Sequence, residues 1–243
     1  MSVTLLQFEN LKKQFGYHRA VKSASGEIRE NDYISLYGVN GAGKSTLLYL
    51  LSGVYKPDAG KITYPGHGPS TGPIPGPIPG KKQFCADMQL MSHQSMFYAR
   101  LSARDNLAFF QKLYGEVNAD EVLFALELTG LLEARNKFID GFSRGMIQRL
   151  MIARMVLAKP GFVFFDEPFT GLDIRGQKLL LSIMKKRGIV DLKWKIKGFI
   201  FVDHDIERAY ELGEAIWYIQ NGELQEPMTK KDMPLSQLRE LLG

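Results

Sequence analysis

Short stretches of apolar residues alternate along this chain with longer, amphipathic stretches. Three of the short stretches are β-rich and nearly or wholly apolar, at residues 33–37, 162–165 and 199–202. Strands of this kind are typical of a parallel sheet that is covered on both faces, because none of their positions has to face water. The pattern therefore predicts a buried, mostly parallel sheet.

The segments between these strands have helical character. Residues 44–52 have helical composition, residues from about 102 to 132 have apolar positions at helical spacing, and Pro160 ends a helix predicted at Met146–Ala158. Looser alternation predicts strands at Val3–Lys12, Ala20–Ile28 and Phe84–Ser92, and a late hairpin from residues 215–219 and 222–224. Strands and helices alternate, which favours the α/β class.

Residues 65–80 are dominated by proline and glycine, and the unit GPIP occurs there twice in tandem. Proline removes a backbone donor and glycine raises the entropic cost of ordering, so neither a helix nor the interior of a strand is expected. We predict an exposed, partly extended loop. A tolerated insertion is favoured over a docking site for a proline-binding partner.

The bulk composition is that of an ordinary globular chain. Of 243 residues, 45% are hydrophobic and 23% are charged, which suits one domain or one domain with a subdomain. The net charge of +5 is compatible with an anionic ligand, but the basic residues are scattered and nucleic-acid binding is not expected. Cys85 is the single cysteine, which excludes an intramolecular disulfide, and a small buried residue is favoured over a reactive thiol.

The sequence has no apolar segment of the length that a membrane-spanning helix requires, about 18 residues or more. Its N-terminus also lacks the basic start and apolar run of a secretory signal. We therefore expect a soluble, intracellular chain, in which any membrane role comes through a partner.

Residues 38–45 read GVNGAGKS and fit the phosphate-loop pattern G-x-x-x-x-G-K-[ST] at every position. They follow a predicted strand and open a predicted helix, which is the order that the motif requires. Glycines let backbone N–H groups curl around a phosphate, and the positive end of the following helix points at the same anion. We expect Lys44 to reach the β- and γ-phosphates and Ser45 to offer a hydroxyl to Mg²⁺.

Two acidic residues, Asp166 and Glu167, directly follow the apolar strand at residues 162–165. A carboxylate at the end of a buried strand beside a phosphate loop can hold Mg²⁺ through water, and this role is assigned to Asp166. Glu167 can orient and polarise the attacking water as a general base. Alone, such a pair could equally be a helix cap. After a phosphate loop it indicates a nucleotide hydrolase.

Residues 142–149, FSRGMIQR, resemble the signature of ABC (ATP-binding cassette) proteins, which is usually written LSGGQ. Ser143 and Gly145 keep the serine and the second glycine of that motif, whereas Phe142, Arg144 and Met146 depart from it. Ser143 and the N–H groups at Gly145 open a helix and form a second anion site, for which an ordinary serine cap is the alternative.

The resemblance to ABC ATP-binding subunits extends along the chain and implies further site residues. Gln94 matches the glutamine that touches Mg²⁺ and the attacking water, and His204 matches the histidine that contacts the γ-phosphate. Asp173 matches the aspartate of the family's D-loop, at residues 171–173. Phe15 is placed where the family has an aromatic that stacks on adenine, and Tyr17 is its competitor. The implied ATP contacts in the phosphate loop are Gly38, Asn40, Gly41, Ala42, Gly43, Lys44, Ser45 and Thr46.

The same resemblance implies a fold, ligands and partners. The implied fold is a P-loop NTPase core with a mostly parallel sheet, an N-terminal antiparallel β subdomain and an α-helical subdomain at about residues 95–160, in one nucleotide-binding domain spanning residues 1–243. The implied ligands are ATP and Mg²⁺. Two cassettes, expected to be identical, pair head to tail, so that residues 38–46 of one copy face residues 143–145 of the other.

Separate integral membrane subunits are expected to dock near Gln94 and residues 95–132, which would hold the chain at the cytoplasmic, inner face of the cell membrane. Residues 93–98 and 101–107 resemble ABC-2 type cassettes, and among these the haem exporter ATP-binding subunit of cytochrome c biogenesis. A soluble ABC ATPase acting on nucleic acid or ribosomes is the alternative, although such proteins usually have two cassettes or a long coiled-coil insertion. A P-loop kinase is disfavoured by the signature and by His204.

Overall fold

The computed structural model describes residues 3–64, 68–70, 88–92 and 95–242. The chain divides into two compact units. The first unit contains Met1–Gly76, Val163–Asp166 and Lys197–Gly243, and the second contains Pro77–Phe162 and Glu167–Ile196.

Strands and helices alternate along most of the described chain. The strands are β1 (Thr4–Phe15), β2 (His18–Arg29), β3 (Tyr33–Tyr37), β4 (Ala59–Tyr64), β5 (Gly68–Ser70), β6 (Met88–Met91), β7 (Phe162–Asp166), β8 (Gly188–Ile189), β9 (Trp194–Lys195), β10 (Gly198–Val202), β11 (Ala215–Gln220), β12 (Glu223–Leu224) and β13 (Met228–Thr229). The helices are α1 (Lys44–Leu51), α2 (Ala103–Tyr114), α3 (Ala119–Leu128), α4 (Arg144–Ala158), α5 (Ile174–Lys186), α6 (Ile206–Leu212) and α7 (Leu235–Leu242).

The first unit is built on a mixed sheet with the strand order β5-β4-β1-β2-β12-β11-β3-β10-β7. β3 pairs in parallel with both β10 and β11, whereas β1 pairs antiparallel with β2 and β4. Every residue of β3, β7 and β10 is buried, as their apolar sequences predict. The hairpin predicted near the end of the chain is confirmed, because Ile219 of β11 lies opposite Leu224 of β12.

The proline- and glycine-rich segment differs in part from its prediction. Gly68–Ser70 forms β5, a three-residue strand antiparallel to β4, with Pro69 opposite Thr63. The predicted partly extended loop therefore includes a short paired strand at these three residues, where the interior of a strand was not expected. Because β5 is the edge strand in that sheet order, the missing N–H of Pro69 costs little there. The remainder of residues 65–80, like Cys85 and Phe84, lies outside the described residues.

The second unit is mainly helical in its described part, and α4 packs against both α2 and α3. Leu150, Ile152, Ala153 and Val156 of α4 have no exposed surface. α4 begins at Arg144, two residues before the predicted start, because Ser143 Oγ accepts a hydrogen bond from Met146 N at 3.3 Å and caps the helix. The helical pattern predicted at about residues 102–132 contains two helices, and the Asn118 side chain caps the second.

Among the described residues, no helix combines the length and the apolar character needed to cross a bilayer.

Candidate functional site

The phosphate-loop sequence lies between the end of β3 and the start of α1. Gly38 and Gly43 have φ values of +153° and +107°, a region that residues with a Cβ rarely occupy. A Cβ on Gly38 would also lie 2.4 Å from the carbonyl oxygen of Ile219, and one on Gly43 would lie 2.2 Å from that of Ala20. Neighbouring strands therefore leave room only for glycine at these two positions.

The Lys44 ammonium group lies within the arc of this loop. It donates hydrogen bonds to the carbonyl oxygens of Gly38 at 2.6 Å and Val39 at 3.1 Å. The first turn of α1 contains no acidic residue. The lysine charge and the N-terminal end of α1 thus reinforce one another at the loop, as the binding of a phosphate anion requires.

Ser45 and Asp166 are 121 residues apart in sequence but adjacent in the first unit. Ser45 Oγ donates a hydrogen bond of 2.8 Å to Asp166 Oδ1. Asp166, the last residue of β7, is only 3% exposed. A hydroxyl and a carboxylate oxygen are ligands that Mg²⁺ prefers, so this pair fits the metal that the sequence motifs imply. Thr46, which follows Ser45 in α1, is partly buried.

The structure brings His204 to the same cavity as Lys44. This cavity, of about 170 Å³, is lined in part by Gly38, Asn40, Lys44, Asp203 and His204. Tyr37 also lines it, and burial raises the pKa of the Tyr37 hydroxyl, so that this side chain stays neutral beside the loop. The described cavity thus combines a cation and an imidazole next to the phosphate loop.

The two candidates for adenine stacking have different surroundings. The ring of Phe15 packs edge-on against Tyr55 at 5.4 Å, and Lys13 Nζ lies 5.4 Å from the Phe15 ring centroid. Tyr17 is fully exposed and lines a second cavity with Asn40, Gly41 and Ala42. Phe15 is 44% exposed and is held in place by its neighbours.

In the second unit, the signature-like segment lies beside residues 171–173. A Cβ on Gly145 would lie 3.7 Å from Asp173 Oδ2 and 3.8 Å from the Gly171 carbonyl oxygen. Asp173 Oδ1 caps α5 by accepting a hydrogen bond from Gly176 N at 2.8 Å. Ser143 and Asp173 therefore begin two helices, α4 and α5, at neighbouring positions.

Two arginine side chains, Arg149 and Arg144, hold these segments together. The sequence motifs did not predict these contacts. Arg149 Nε lies 3.3 Å from Asp173 Oδ2, and its NH1 donates to the carbonyl oxygen of Thr129 at 2.9 Å. The Arg144 side chain lies over Gly171, since a Cβ there would be 2.7 Å from Arg144 Nε. The departure from the usual signature at Arg144 was the sequence signal for that contact.

Glu167 is in the left-handed region, at φ +52°, and its carbonyl oxygen accepts a hydrogen bond from Thr170 N. Non-glycine residues held in this region are often found where function requires a particular geometry. Gln94, the remaining predicted site residue, lies outside the described residues.

Four aromatic rings and an arginine form a cluster between the segment after Gln94 and α2. The ring of Tyr98 lies 4.9 Å from that of Phe109, and Arg154 lies over the rings of Phe97 and Phe110. Tyr98 is 51% exposed and Phe109 37% exposed, so the outer pair presents an apolar surface to solvent.

Comparison with known proteins decides the family. A family model described as "ABC transporter" matches residues 21–170, which is more than half of the chain. The chain belongs to the ABC transporter family. Its phosphate loop and Asp166 both lie within the matched residues.

Curated relatives resemble the cassette over almost all of its length. It is 33% identical to the uncharacterized ABC transporter ATP-binding protein YxlF of Bacillus subtilis, over 90% of this chain and 69% of that protein. It is 31% identical to the linearmycin resistance ATP-binding protein LnrL of the same species, over 94% and 70%. It is also 28% identical to the spermidine/putrescine import protein PotA of Acetivibrio thermocellus, over 94% and 62%.

Solved structures share the fold of the cassette. A dimeric, post-hydrolysis structure of the ATP-binding cassette MJ0796 with ADP and phosphate matches with a TM-score of 0.76 and 23% identity, over 93% of this chain and 98% of that one. The ATP-binding subunit of an ABC transporter matches with a TM-score of 0.78 and 23% identity, over 98% and 95%. The predicted P-loop NTPase fold is confirmed, and the chain is an ABC ATPase.

Proposed function

We propose that the cassette is the nucleotide-binding subunit of a membrane transporter, in which ATP binding and hydrolysis drive movement of substrate through separate membrane subunits. Residues 1–243 would form one nucleotide-binding domain, with the helical subdomain at about residues 95–160. The observation that carries this proposal is the Lys44 loop beside the Ser45–Asp166 pair, because it joins a phosphate cradle to oxygen ligands for Mg²⁺.

The residues of the first unit would bind and orient the triphosphate. The N–H groups of the loop and the Lys44 ammonium group hold the phosphates, and the hydroxyl of Ser45 and the carboxylate of Asp166 hold Mg²⁺, with Gln94 as a further ligand by resemblance. Mg²⁺, when bound, neutralises charge on the phosphate oxygens. His204 would contact the γ-phosphate from the cavity that it shares with Lys44.

The remaining predicted site residues would complete the reaction. Glu167 would accept a proton from the attacking water as the water oxygen bonds to the γ-phosphorus. The bond between that phosphorus and the β–γ bridging oxygen, on the opposite side, would break and release ADP. Ser143 and Gly145 of a second copy would hold the γ-phosphate from the other side, and Asp173 would lie beside them. ATP would then be enclosed between two copies, and hydrolysis would release them.

Turnover of ATP by the purified protein tests this proposal. Lys44→Ala removes the cation that faces the phosphates, and we expect Mg²⁺-dependent turnover to fall roughly 100-fold or more. Glu167→Gln keeps the shape of the side chain but removes the base, so ATP binding should persist while turnover falls. A Lys44→Ala protein with wild-type turnover would refute the assignment of the phosphate site.

The exposed pair Tyr98 and Phe109 is proposed as part of the docking surface for a cytoplasmic segment of the membrane subunit. Its position just after Gln94 agrees with the docking region expected from sequence, and the buried Asn106 side chain holds the backbone beneath it. Aromatic residues on a fixed backbone are typical anchors of protein interfaces.

Co-purification from solubilised membranes tests the docking surface. Tyr98→Ser should leave ATP turnover of the isolated cassette unchanged but reduce recovery of the membrane subunit several-fold, because it removes apolar contact area. Val190→Ser, at an exposed apolar position outside residues 95–132, is the matched control and should co-purify normally. Equal recovery with both variants would place the docking surface elsewhere.

We further propose an ABC-2 type exporter as the transporter class. Support comes from the sequence similarity of residues 93–107 and from the relatives whose names concern linearmycin resistance and bacitracin transport. PotA, an import protein, is a relative of comparable identity, and these names give no support to haem as cargo. Identification of the co-purified membrane subunit, followed by uptake and efflux measurements in vesicles, tests direction and cargo together.

A further inference from the structure

The turn that carries His204 is fastened on both sides of the histidine by one side chain from α6. Arg208 Nε lies 2.5 Å from Asp203 Oδ2, and Arg208 NH2 donates to Asp203 Oδ1 at 2.9 Å. A third nitrogen, NH1, lies 3.5 Å from Asp205 Oδ2. The two acidic residues that flank His204 in sequence are therefore both tied to the same guanidinium group.

The same turn is also closed by backbone contacts. Asp203 Oδ1 accepts a hydrogen bond from Asp205 N at 3.1 Å, and Asp205 Oδ1 caps α6 by accepting one from Arg208 N at 3.0 Å. The Asp203 side chain is only 5% exposed, so its pairing with Arg208 is largely shielded from water. The hydrogen bond to Asp203 raises the pKa of Arg208, in keeping with a paired guanidinium.

We propose that Arg208 is a positioning residue for His204, acting through the turn at residues 203–205. Two parallel hydrogen bonds fix an arginine and a carboxylate in both distance and orientation, which a single contact cannot do. The imidazole is thereby held towards the cavity that contains Lys44, without having to be ordered again in each catalytic cycle. The proposal rests on the function proposed above, since it concerns the residue assigned to the γ-phosphate.

The surrounding sequence supports a role beyond capping of the helix. Asp205 alone caps α6, and its contact with the Arg208 backbone does not depend on the guanidinium group. The two guanidinium hydrogen bonds to Asp203 are therefore not needed for the cap, and they hold the residue just before His204.

Kinetics of single and double variants tests whether Arg208 acts through His204. We expect Arg208→Met to lower kcat for ATP about 10-fold with KM changed less than about twofold, because the triphosphate is still held by the loop. Asp203→Asn keeps an oxygen that can accept from Asp205 N but removes the charge, and should give the same loss. Arg208→Lys restores one contact and should recover part of kcat.

The deciding measurement is the double variant. If Arg208 acts through His204, Arg208→Met should cause no further loss of kcat in a His204→Ala background, which means complete non-additivity. An equal loss in both backgrounds would overturn the proposal, as would wild-type kcat in Arg208→Met. A loss explained by poor folding would appear as a lowered Tm together with weaker binding of Mg-ATP, and this outcome also overturns it.

Arg239→Met is the matched control. Arg239 of α7 forms an exposed ion pair with Glu207 of α6, the helix that contains Arg208. Loss of this pair should leave kcat and KM unchanged. The wild-type and Lys44→Ala proteins are measured alongside. Absence of turnover in the wild type would reject the proposed function. If the wild type turns over ATP and the Arg208 variants do so at the same rate, only the role of Arg208 is rejected.

Discussion

Contacts with distant parts of the chain restrict which residues can occupy positions in the phosphate loop, in addition to the proposed binding of an anion. The carbonyl oxygens of Ala20 and Ile219 approach so closely that Gly43 and Gly38 have no room for a side chain. Ser45, by contrast, donates a hydrogen bond from its hydroxyl to Asp166. An alanine at this position could neither donate to the carboxylate nor bind a metal. Both kinds of constraint can be tested with single substitutions.

Ser45→Ala should raise the Mg²⁺ concentration needed for half-maximal ATP turnover by about 10-fold, because one oxygen ligand is lost while the loop remains. Turnover at fixed ATP, titrated with Mg²⁺, measures this change. Ser52→Ala, at the C-terminal end of the same helix, is the control and should not shift the titration. An unchanged Mg²⁺ requirement in Ser45→Ala would contradict the proposed metal ligand.

Phe15 and Tyr17 can be distinguished as stacking partners for adenine. We expect Phe15→Leu to raise KM for ATP roughly 5- to 150-fold, since stacking on a base is worth about 1–3 kcal/mol and the Phe15 ring is already held by Tyr55. Tyr17→Leu should change KM less, because its fully exposed ring must be ordered on binding. The reverse ranking would assign stacking to Tyr17.

At the scale of elements, side-chain caps determine where helices begin. Ser102, Asn118, Ser143, Asp173 and Asp205 each accept a hydrogen bond from a backbone N–H in the first turn that follows. Two of these caps, Ser143 and Asp173, are also predicted site residues. The same local rule thus starts a helix and exposes N–H groups that an anion can use.

A buried asparagine fixes the loop between residue 98 and α2. Asn106 has no exposed surface, accepts from Tyr98 N at 2.8 Å, and places its amide nitrogen 3.0–3.2 Å from three carbonyl oxygens. Asn106→Ala should lower the free energy of unfolding by about 2–3 kcal/mol, because these buried groups lose their partner. Urea denaturation of the purified protein measures the change.

The control for Asn106 is the same substitution at an exposed cap. Asn118→Ala removes the cap of α3 and should lower the free energy of unfolding by only about 1 kcal/mol. If both substitutions lower the free energy of unfolding equally, the Asn106 contacts stabilise the protein no more than an ordinary cap does. The backbone beneath Tyr98 is then held by other interactions.

At the scale of the whole molecule, the proposed reaction would require two copies, with residues 38–46 of one copy and residues 143–145 of the other binding the same ATP. This arrangement makes each site depend on one motif from each chain. A chain with either motif damaged would therefore be inactive alone, although its other motif is intact.

Mixing two inactive variants tests the head-to-tail arrangement. Lys44→Ala damages the phosphate loop, and Gly145→Glu places a negative side chain at the signature, so each protein alone should hydrolyse little ATP. A mixed dimer contains one site with both motifs intact, and mixing should restore on the order of a quarter of wild-type turnover if the two chains pair at random. No recovery on mixing would contradict this arrangement.

Dimerisation itself has a direct readout. Glu167→Gln should form dimers with ATP more readily than the wild type, because nucleotide stays bound between the two copies, and the added Gly145→Glu substitution should prevent this. Sedimentation with and without Mg-ATP measures the shift. A Glu167→Gln protein that stays monomeric at saturating ATP would count against closure on nucleotide.

Sequence patterns were sufficient for the features that depend on neighbouring residues. The phosphate loop, the apolar strands β3, β7 and β10, and the helices α1 to α4 follow from spacing, apolar periodicity and capping chemistry within about ten residues, whereas α5, α6 and α7 were not predicted. The family follows from the same motifs, because GVNGAGKS, Asp166 and the signature-like segment occur in the required order.

Contacts between distant segments could not be predicted from these local sequence patterns. The Ser45–Asp166 hydrogen bond, the pairing of Gly68–Ser70 with β4 and the approach of Arg144 to Gly171 join residues whose proximity depends on sheet order and loop path. Arg208 lies only four residues after His204, yet the role proposed for it rests on the hydrogen bond of its side chain to Asp203. Local chemistry can name a residue's possible partners, but the free energy of packing the entire unit selects among them.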